Sequence, residues 1–416
     1  MKAAILTAGC RLNQAESDAL SAWLLSRGVA VVSDIADADV CYVNTCTVTA
    51  EAERSSMQLV RRAARLSTKP SVVALGCMAE RLPDLLRSTP GVTEVWSRGQ
   101  KREVVNGRVP DGSRSRALLK VQDGCDRRCA YCVVSRVRGA PESVSPAAAT
   151  AAVSQLVEQG YHEIVLTGLN LGSYRHGETS LARLLRRLVA LPGRFRLRVG
   201  SLEPDTVTDE LLELLGDPRV CPHFHLALQT ADDRLLTVMN RRHSFAEFRE
   251  LTGRLVAVRS EACLGADVIS GLPGETRESF ELTRERLTGL PLAYLHAFTF
   301  STRDATPAAE MPGQVSVVEA RRRTRELRAL SASFGRRFAV RHLGTVRPAV
   351  VESDRLVMTD NYLRVRLDQP TAMPVRQYCD VQLIGFEAEE PVGAGATVPT
   401  RMVGRVMGRL LAGQEE

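Results

Sequence analysis

Short apolar runs alternate with amphipathic segments between residues 117 and 335, and this alternation constrains the fold more than any other feature. Such a pattern is typical of buried parallel strands joined by right-handed helical crossovers. Six strand and helix units predict an α/β fold with an incomplete (β/α)6 barrel. The predicted strands are 117–122, 163–168, 195–202, 223–230, 264–271 and 295–301, and the predicted helices are 147–158, 181–189, 207–215, 245–258 and 277–287.

Three cysteines in the N-terminal part of the chain each follow a short apolar run. Cys10, Cys46 and Cys77 come soon after runs that read as buried parallel strands of an open sheet. Open α/β sheets place ligand sites at the carboxyl ends of their strands, so we expect the three thiols to converge at one sheet edge. A single cysteine of this kind is usually an inert core residue, but three equivalent positions argue against that interpretation.

A second set of cysteines has the spacing C-x3-C-x2-C directly after the first predicted barrel strand. Cys125, Cys129 and Cys132 can hold three irons of a 4Fe-4S cube, which leaves the fourth iron open for a substrate or cofactor. A structural zinc site is the main alternative, but it needs a fourth ligand, and no other Cys or His lies nearby in the sequence. The remaining cysteines are predicted to be structural: Cys41, Cys221, Cys263 and Cys379.

The C-x3-C-x2-C motif resembles the signature of radical S-adenosylmethionine (SAM) enzymes, whose catalytic domain is a partial barrel. Two sets of three cysteines resemble, more narrowly, the methylthiotransferases of that superfamily, and the likeness runs nearly the whole chain. Residues 9–17, 44–53 and 75–80 look like three sequence blocks of that family. Cys-Thr-Val-Thr at 46–49 resembles the MtaB-type branch, which acts on tRNA carrying N6-threonylcarbamoyladenosine.

The resemblance implies two 4Fe-4S clusters, one on each cysteine set, and SAM as cofactor. The implied reaction adds a methylthio group to C2 of N6-threonylcarbamoyladenosine at position 37 of tRNA, with no catalytic residue beyond the clusters. In the implied SAM site, Thr167, Gly168 and Asn170 lie near the amino group. Glu203 and Gln229 lie near the ribose and sulfonium, and Tyr131 and Ile269 lie near the adenine.

Three alternatives stay open. Two are other substrates within the family, namely N6-isopentenyladenosine tRNA and a ribosomal protein. Outside enzymes, the chain is a zinc-stabilised RNA-binding protein. The expected partners are the tRNA anticodon loop and an electron donor such as flavodoxin or ferredoxin, with the protein as a monomer. Because no apolar run approaches the ~18 residues of a membrane span and reduced thiolates suit a reducing compartment, we expect a cytoplasmic protein without a membrane partner.

The predicted domains are 1–112, carrying the auxiliary cluster, 113–340, the radical SAM domain with a basic linker helix, and 341–412. The third domain contains regularly spaced short strands at 345–352, 355–359, 363–367, 380–386 and 401–407, which predict a small β-barrel. It resembles the TRAM domain, an RNA-binding module of this family.

Arginine-rich segments are the predicted RNA contacts, since the net charge of +7 alone does not demand nucleic acid. Residues 341–409 carry nine arginines against eight acidic residues, so this part is almost neutral. Arginine-dense surfaces attract phosphate backbones. The predicted RNA-binding residues of the linker helix are Arg321, Arg322, Arg325 and Arg328, and a further arginine group surrounds the C-x3-C-x2-C loop: Arg127, Arg128, Arg136 and Arg138.

We expect the anaerobically purified protein to be brown and to absorb visible light, because iron-sulfur clusters on thiolates do so. A zinc-stabilised protein would be colourless. A visible spectrum with metal analysis separates the two, and a colourless protein loaded with zinc would rule out the iron-sulfur interpretation.

Overall fold

The computed structural model describes residues 1–111, 114–304, 306–387 and 402–408, and its first unit is a five-stranded parallel sheet in the order β2-β1-β3-β4-β5. The strands are β1 (Lys2–Thr7), β2 (Ala30–Val31), β3 (Val40–Thr45), β4 (Ser71–Gly76) and β5 (Val92–Val95). The helices are α1 (Arg11–Leu25), α2 (Ala50–Ala64), α3 (Cys77–Arg81), α4 (Pro83–Arg87) and α5 (Arg98–Val105). Successive side chains of β4 pack in different cores. Val72 and Ala74 pack in one core, and Val73 and Leu75 pack in the other. The predicted open parallel sheet is therefore confirmed.

The second unit contains the six predicted barrel strands, all in parallel pairs. They form two three-stranded sheets, β12-β9-β6 and β13-β14-β15, which isolated bridges join. Its strands are β6 (Ala117–Lys120), β7 (Gln122–Asp123), β8 (Glu142–Ser143), β9 (Glu163–Thr167), β10 (Arg175–His176), β11 (Thr179–Ser180), β12 (Arg196–Val199), β13 (His223–Gln229), β14 (Cys263–Ser270) and β15 (Tyr294–Thr299). The incomplete barrel is confirmed, and the break between β12 and β13 is a feature that the periodicity did not reveal.

Helices cover the outer face of this barrel, and their apolar sides form one large core with the strands. The long helix α14 packs on β14 and β15. The helices are α6 (Val134–Arg138), α7 (Pro146–Glu158), α8 (Leu181–Val189), α9 (Asp209–Leu215), α10 (Asp233–Val238), α11 (Phe245–Val258), α12 (Arg277–Thr288), α13 (Pro307–Glu310) and α14 (Val317–Val340). Within the described residues, no helix is both long and apolar enough to cross a membrane.

The third unit is a closed barrel of five strands in the order β16-β17-β18-β20-β19, which confirms the predicted small TRAM-like barrel. The domain boundaries stay a prediction. Gly112 and Ser113, at the first boundary, and residues 409–412, at the end of the third domain, lie outside the described residues. The strands are β16 (Val346–Ser353), β17 (Leu356–Thr359), β18 (Arg364–Leu367), β19 (Tyr378–Phe386) and β20 (Met402–Gly408).

Buried charges join the third unit to the amino ends of the barrel strands. Glu163 forms ion pairs of 2.7 Å with both Arg196 and Arg198. Arg198 also donates to the carbonyl oxygens of Thr359 and Asp360, at 3.1 and 3.0 Å. Burial alone would raise the pKa of Glu163, but the neighbouring guanidinium groups hold it far below its ordinary value of 4.5. This carboxylate is therefore charged in the folded protein and stabilises the contact between the two units.

We expect Glu163→Gln to lower the free energy of unfolding by about 3–5 kcal/mol, because buried guanidinium groups lose their counter-charge. Since the folded-state pKa is depressed, the difference from wild type is full above pH 4.5 and shrinks as the pH falls below it. Denaturant titration at several pH values measures it. The control is Glu158→Gln, at an exposed position on α7. Equal midpoints for the two variants would contradict the account.

Candidate active site

Cys10, Cys46 and Cys77 lie just past the carboxyl ends of β1, β3 and β4, which are neighbours in the first sheet. Cys46 and Cys77 are buried, and Cys10 is exposed. The pKa of Cys46 is raised to about 11, mainly by burial, with smaller contributions from the nearby Cys77 and Cys10. The predicted convergence of the three thiols at one sheet edge is thus present.

Two glycines allow the loops that carry these cysteines to approach closely. Gly9 has φ +95°, and a Cβ there would lie 2.7 Å from Cys46 Sγ. Gly76 has φ +97°, and a Cβ there would lie 2.4 Å from the carbonyl oxygen of Thr45. Both positions need glycine for the backbone conformation and for space.

The C-x3-C-x2-C segment forms a loop stabilised by its own backbone. The N–H of Cys125 donates to the carbonyl oxygen of Gly139 at 2.9 Å. Backbone N–H groups also donate to sulfur, from Arg127 to Cys125 Sγ and from Val134 to Cys132 Sγ, both at 3.4 Å. Burial raises the pKa of Cys132 to about 11. Thiols that accept N–H···S hydrogen bonds suit an iron-sulfur cluster, which binds when the thiols lose their protons.

The two cysteine sets adjoin each other. Cys77 and Cys132 pack in the same apolar cluster, together with Val133, Val134 and Val137 of the loop and of α6. A single compact region therefore contains both sets of thiols.

Arg138, at the end of α6, crosses between the two sets. Its Nε lies 3.1 Å from Cys77 Sγ, and its other nitrogens form ion pairs with Glu16 at 2.5 Å and Asp123 at 3.2 Å. Despite burial, Arg138 and two lysines hold the pKa of Glu16 well below its ordinary value. The pairs connect the first sheet to the cluster loop by charge as well as by apolar packing.

This geometry corrects one prediction. Arg127 and Arg138 were predicted to attract phosphate, but both are buried and bound to carboxylates, Arg127 to Asp205 at 2.6 Å. Charge density in the sequence did not reveal these internal partners. Arg128 and Arg136 are exposed.

The residues predicted near the SAM adenine are brought together. Tyr131 and Ile269 pack in one apolar cluster, which also contains Met239. Glu203 is close by and forms an ion pair with Arg241. Arg241 also donates to Cys129 Sγ at 3.3 Å and to the Tyr131 hydroxyl at 3.4 Å.

Arg241 is a residue that the sequence interpretation missed. It belongs to no recognised spacing, and its only signal is its place in a turn between two helices at the carboxyl end of the barrel. Its contacts with Glu203, Tyr131 and Cys129 make it a positioning residue for this side of the site.

The residues predicted near the SAM amino group and ribose also lie at strand ends. Thr167 ends β9. Gly168 packs against the side chain of Gln122, and a Cβ at Gly168 would lie 2.8 Å from Gln122 Oε1. Asn170 Oδ1 is buried and accepts no hydrogen bond from any described residue. Gln229, beside an irregularity in β13, has φ +76°. An unsatisfied acceptor and a strained residue fit a polar cofactor with a donor group.

The predicted RNA-binding residues Arg321, Arg322, Arg325 and Arg328 are all exposed on α14. Arg322 pairs with Glu319 at 2.7 Å and also contacts Glu326. Their role in binding RNA stays a prediction.

Comparisons with known proteins agree with this arrangement. Residues 119–287 match the radical SAM superfamily, and residues 2–97 match "Uncharacterized protein family UPF0004". The threonylcarbamoyladenosine tRNA methylthiotransferase MtaB of Rickettsia prowazekii is 32% identical over 92% of this chain and 95% of its own length. The tRNA-2-methylthio-N(6)-dimethylallyladenosine synthase of Cereibacter sphaeroides is 32% identical over 74% of this chain and 78% of its own. This chain belongs to the radical SAM methylthiotransferase family.

Among solved structures, the radical S-adenosylmethionine methyltransferase TsrM from Kitasatospora setae superposes with a TM-score of 0.54 at 17% identity. The match covers 74% of this chain and 75% of that one, and it shows the fold. As a methylthiotransferase of this family, the protein is an enzyme that uses SAM and 4Fe-4S clusters. The predicted cofactors are confirmed, whereas the assignment of particular residues to each cofactor stays a prediction.

We expect Arg138→Gln to lower the free energy of unfolding by about 1–3 kcal/mol, because Glu16 and Asp123 lose charged hydrogen bonds but keep lysine partners. We also expect less iron per chain after anaerobic reconstitution, since the two cysteine sets lose a connection. Arg136→Gln, at an exposed position on the same helix, is the matched control. The interpretation is wrong if both variants keep the wild-type midpoint and iron content.

Proposed function

We propose that this enzyme adds a methylthio group to C2 of N6-threonylcarbamoyladenosine at position 37 of tRNA. The observation that carries the proposal is the meeting of two separate thiol sets in one region, where Cys77 and Cys132 share an apolar cluster. One set suits a cluster that binds SAM, and the other suits a cluster that holds sulfur. The relatives named for this reaction span nearly the whole chain.

In this proposal the six cysteines divide into two ligand sets, Cys125, Cys129 and Cys132 for the SAM-binding cluster and Cys10, Cys46 and Cys77 for the auxiliary cluster. When bound, SAM and the clusters supply the radical, the sulfur and the methyl group.

The chain's own residues hold and shield the bound cofactor. The apolar cluster around Tyr131 and Ile269 provides a wall for an adenine ring. The Oδ1 of Asn170, which has no partner among the described residues, provides with Thr167 and Gly168 the polar end for an amino group. Glu203, held by Arg241, is the proposed contact for the ribose. In this proposal the barrel walls limit the access of water to the bound cofactor, which protects reactive species from side reactions.

We propose tRNA in the cytoplasm as the macromolecular partner. An anticodon-loop base is unpaired and can be splayed into a pocket, whereas a base in a duplex is paired and stacked and must first be extruded. Exposed arginines of α14, namely Arg321, Arg322, Arg325 and Arg328, are the proposed contacts with the phosphate backbone. A small electron donor such as flavodoxin or ferredoxin and a monomeric enzyme complete the proposal.

The second candidate is the dimethylallyladenosine base, because a relative named for that product has the same 32% identity as the relative named for threonylcarbamoyladenosine. The match to the dimethylallyladenosine relative covers 74% of this chain, whereas the match to the threonylcarbamoyladenosine relative covers 92%. The two substrates carry different groups on N6, and nucleoside analysis separates them.

We expect nucleoside mass spectrometry of tRNA from cells lacking this gene to show loss of 2-methylthio-N6-threonylcarbamoyladenosine and accumulation of its unthiolated precursor. Complementation with Cys46→Ser or Cys129→Ser should fail, since each removes a proposed cluster ligand. Cys263→Ala, at a buried position outside both sets, should restore the product. Loss of the dimethylallyl product instead would select the second candidate. An unchanged tRNA profile would overturn both tRNA assignments and direct the search to ribosomal protein.

A further inference from the structure

A cavity of about 370 Å³ lies where the three units of the fold meet. The first unit contributes Arg11, the start of the barrel contributes Arg114 and Arg116, and the third unit contributes Tyr362 and Arg364. Four arginines thus line it, against one lining carboxylate, that of Glu352. The cavity is suited to an anionic group.

Three of these arginines already have carboxylate partners. Arg114 pairs with Asp18 at 2.6 Å, and both Arg116 and Arg364 pair with Glu352 at 3.1 Å.

Arg11 differs, because no acidic group pairs with it in the part of the chain that the structure describes. Its guanidinium is half-buried, donates a hydrogen bond to the Tyr362 hydroxyl, and lies 5.5 Å from the centroid of that ring. Charged groups that are partly withdrawn from water are normally paired. A half-buried guanidinium with only a neutral partner is free to bind an anion.

Tyr362 is itself held in an unusual way. Its backbone has φ +68°, a left-handed conformation that is an outlier for a bulky residue. Its ring stacks on the buried His223 at a centroid distance of 3.9 Å. Strained residues of this kind cluster at binding sites, because the surrounding structure must hold them in place. The third unit therefore contributes a positioned hydroxyl group to the cavity beside Arg11.

One lining residue of the cavity is the chain neighbour of an auxiliary cysteine. Arg11 directly follows Cys10 and begins α1, whose amino end adds a positive partial charge. If C2 of an adenine faces the auxiliary thiols, a substituent on N6 has only a short distance to reach this cavity. The chemistry of the cavity then determines which substituent is accepted.

We propose that Arg11 and Tyr362 bind the carboxylate of the threonylcarbamoyl group and thereby select this base. The inference rests on the proposed function and extends it to the residues that read the N6 substituent. Guanidinium groups bind carboxylates through paired hydrogen bonds. A dimethylallyl group is a hydrocarbon and would leave Arg11 without an anion, and a site built for a polar group rejects analogues that lack it.

The test compares two substrates with the reconstituted full-length enzyme: tRNA carrying N6-threonylcarbamoyladenosine, and the same tRNA with its threonyl carboxylate converted to the methyl ester. For wild type, we expect kcat/KM to fall about 10- to 100-fold on the ester, as expected for loss of a charged hydrogen bond. For Arg11→Gln, activity on the acid falls by a similar factor, and esterification causes no further loss. Arg61→Gln, at an exposed position on α2, should keep the wild-type preference.

A second variant guards against an indirect effect, because Arg11 is next to a proposed cluster ligand. Tyr362→Phe lies in another unit of the fold and should also reduce the preference for acid over ester, with the iron content unchanged. If wild type modifies the acid but both variants keep its full preference over the ester, the inference is overturned while the proposed function stands. If wild type does not modify the threonylcarbamoyl tRNA at all, the proposed function itself fails.

Discussion

The buried guanidinium of Arg138 is the contact on which the geometry of both cysteine sets depends. It lies against Cys77 Sγ and pairs with Glu16 on α1 of the first unit and with Asp123 in the second unit. Glu16 is held further by Lys101 at 3.0 Å. Breaking a buried ion pair is strongly destabilising, so these charges fix the first sheet and the cluster loop relative to each other. A reaction that needs two clusters can then take place in one region.

A second buried charge network fixes the third unit to the barrel at the amino ends of its strands. Glu163 and Arg198 attach the third unit through backbone carbonyl groups of β17 and the residue after it. That attachment also fixes Tyr362, which stacks on His223 and contacts Arg11. The third unit is therefore more than an appended barrel, since it contributes Tyr362 and Arg364 to the wall of the cavity that Arg11 also lines. In this account, the third unit takes part in recognition of the modified base, whereas the proposed phosphate contacts lie on α14.

The sequence was sufficient for the strands, the helices and the cysteine sets, because periodicity and spacing are local. It was insufficient for the contact partners of the arginines. Arg138 and Glu16 are 122 positions apart in the sequence, and Arg11 and Tyr362 are 351 positions apart. No local sequence pattern can therefore predict either contact. For the same reason, the prediction that Arg127 attracts phosphate was wrong, since its partner Asp205 lies 78 positions away. The break between β12 and β13 also depends on packing between distant segments.

The most direct test of the account is iron analysis with electron paramagnetic resonance on wild type and two triple Cys→Ala variants, one for each set. We expect about eight irons per chain in wild type and about four in each variant, because each set holds one 4Fe-4S cluster. SAM should change the spectrum of the cluster on Cys125, Cys129 and Cys132, and leave the spectrum of the cluster on Cys10, Cys46 and Cys77 unchanged. About four irons in wild type, or a variant that loses all iron while the other loses none, would contradict two independent sites.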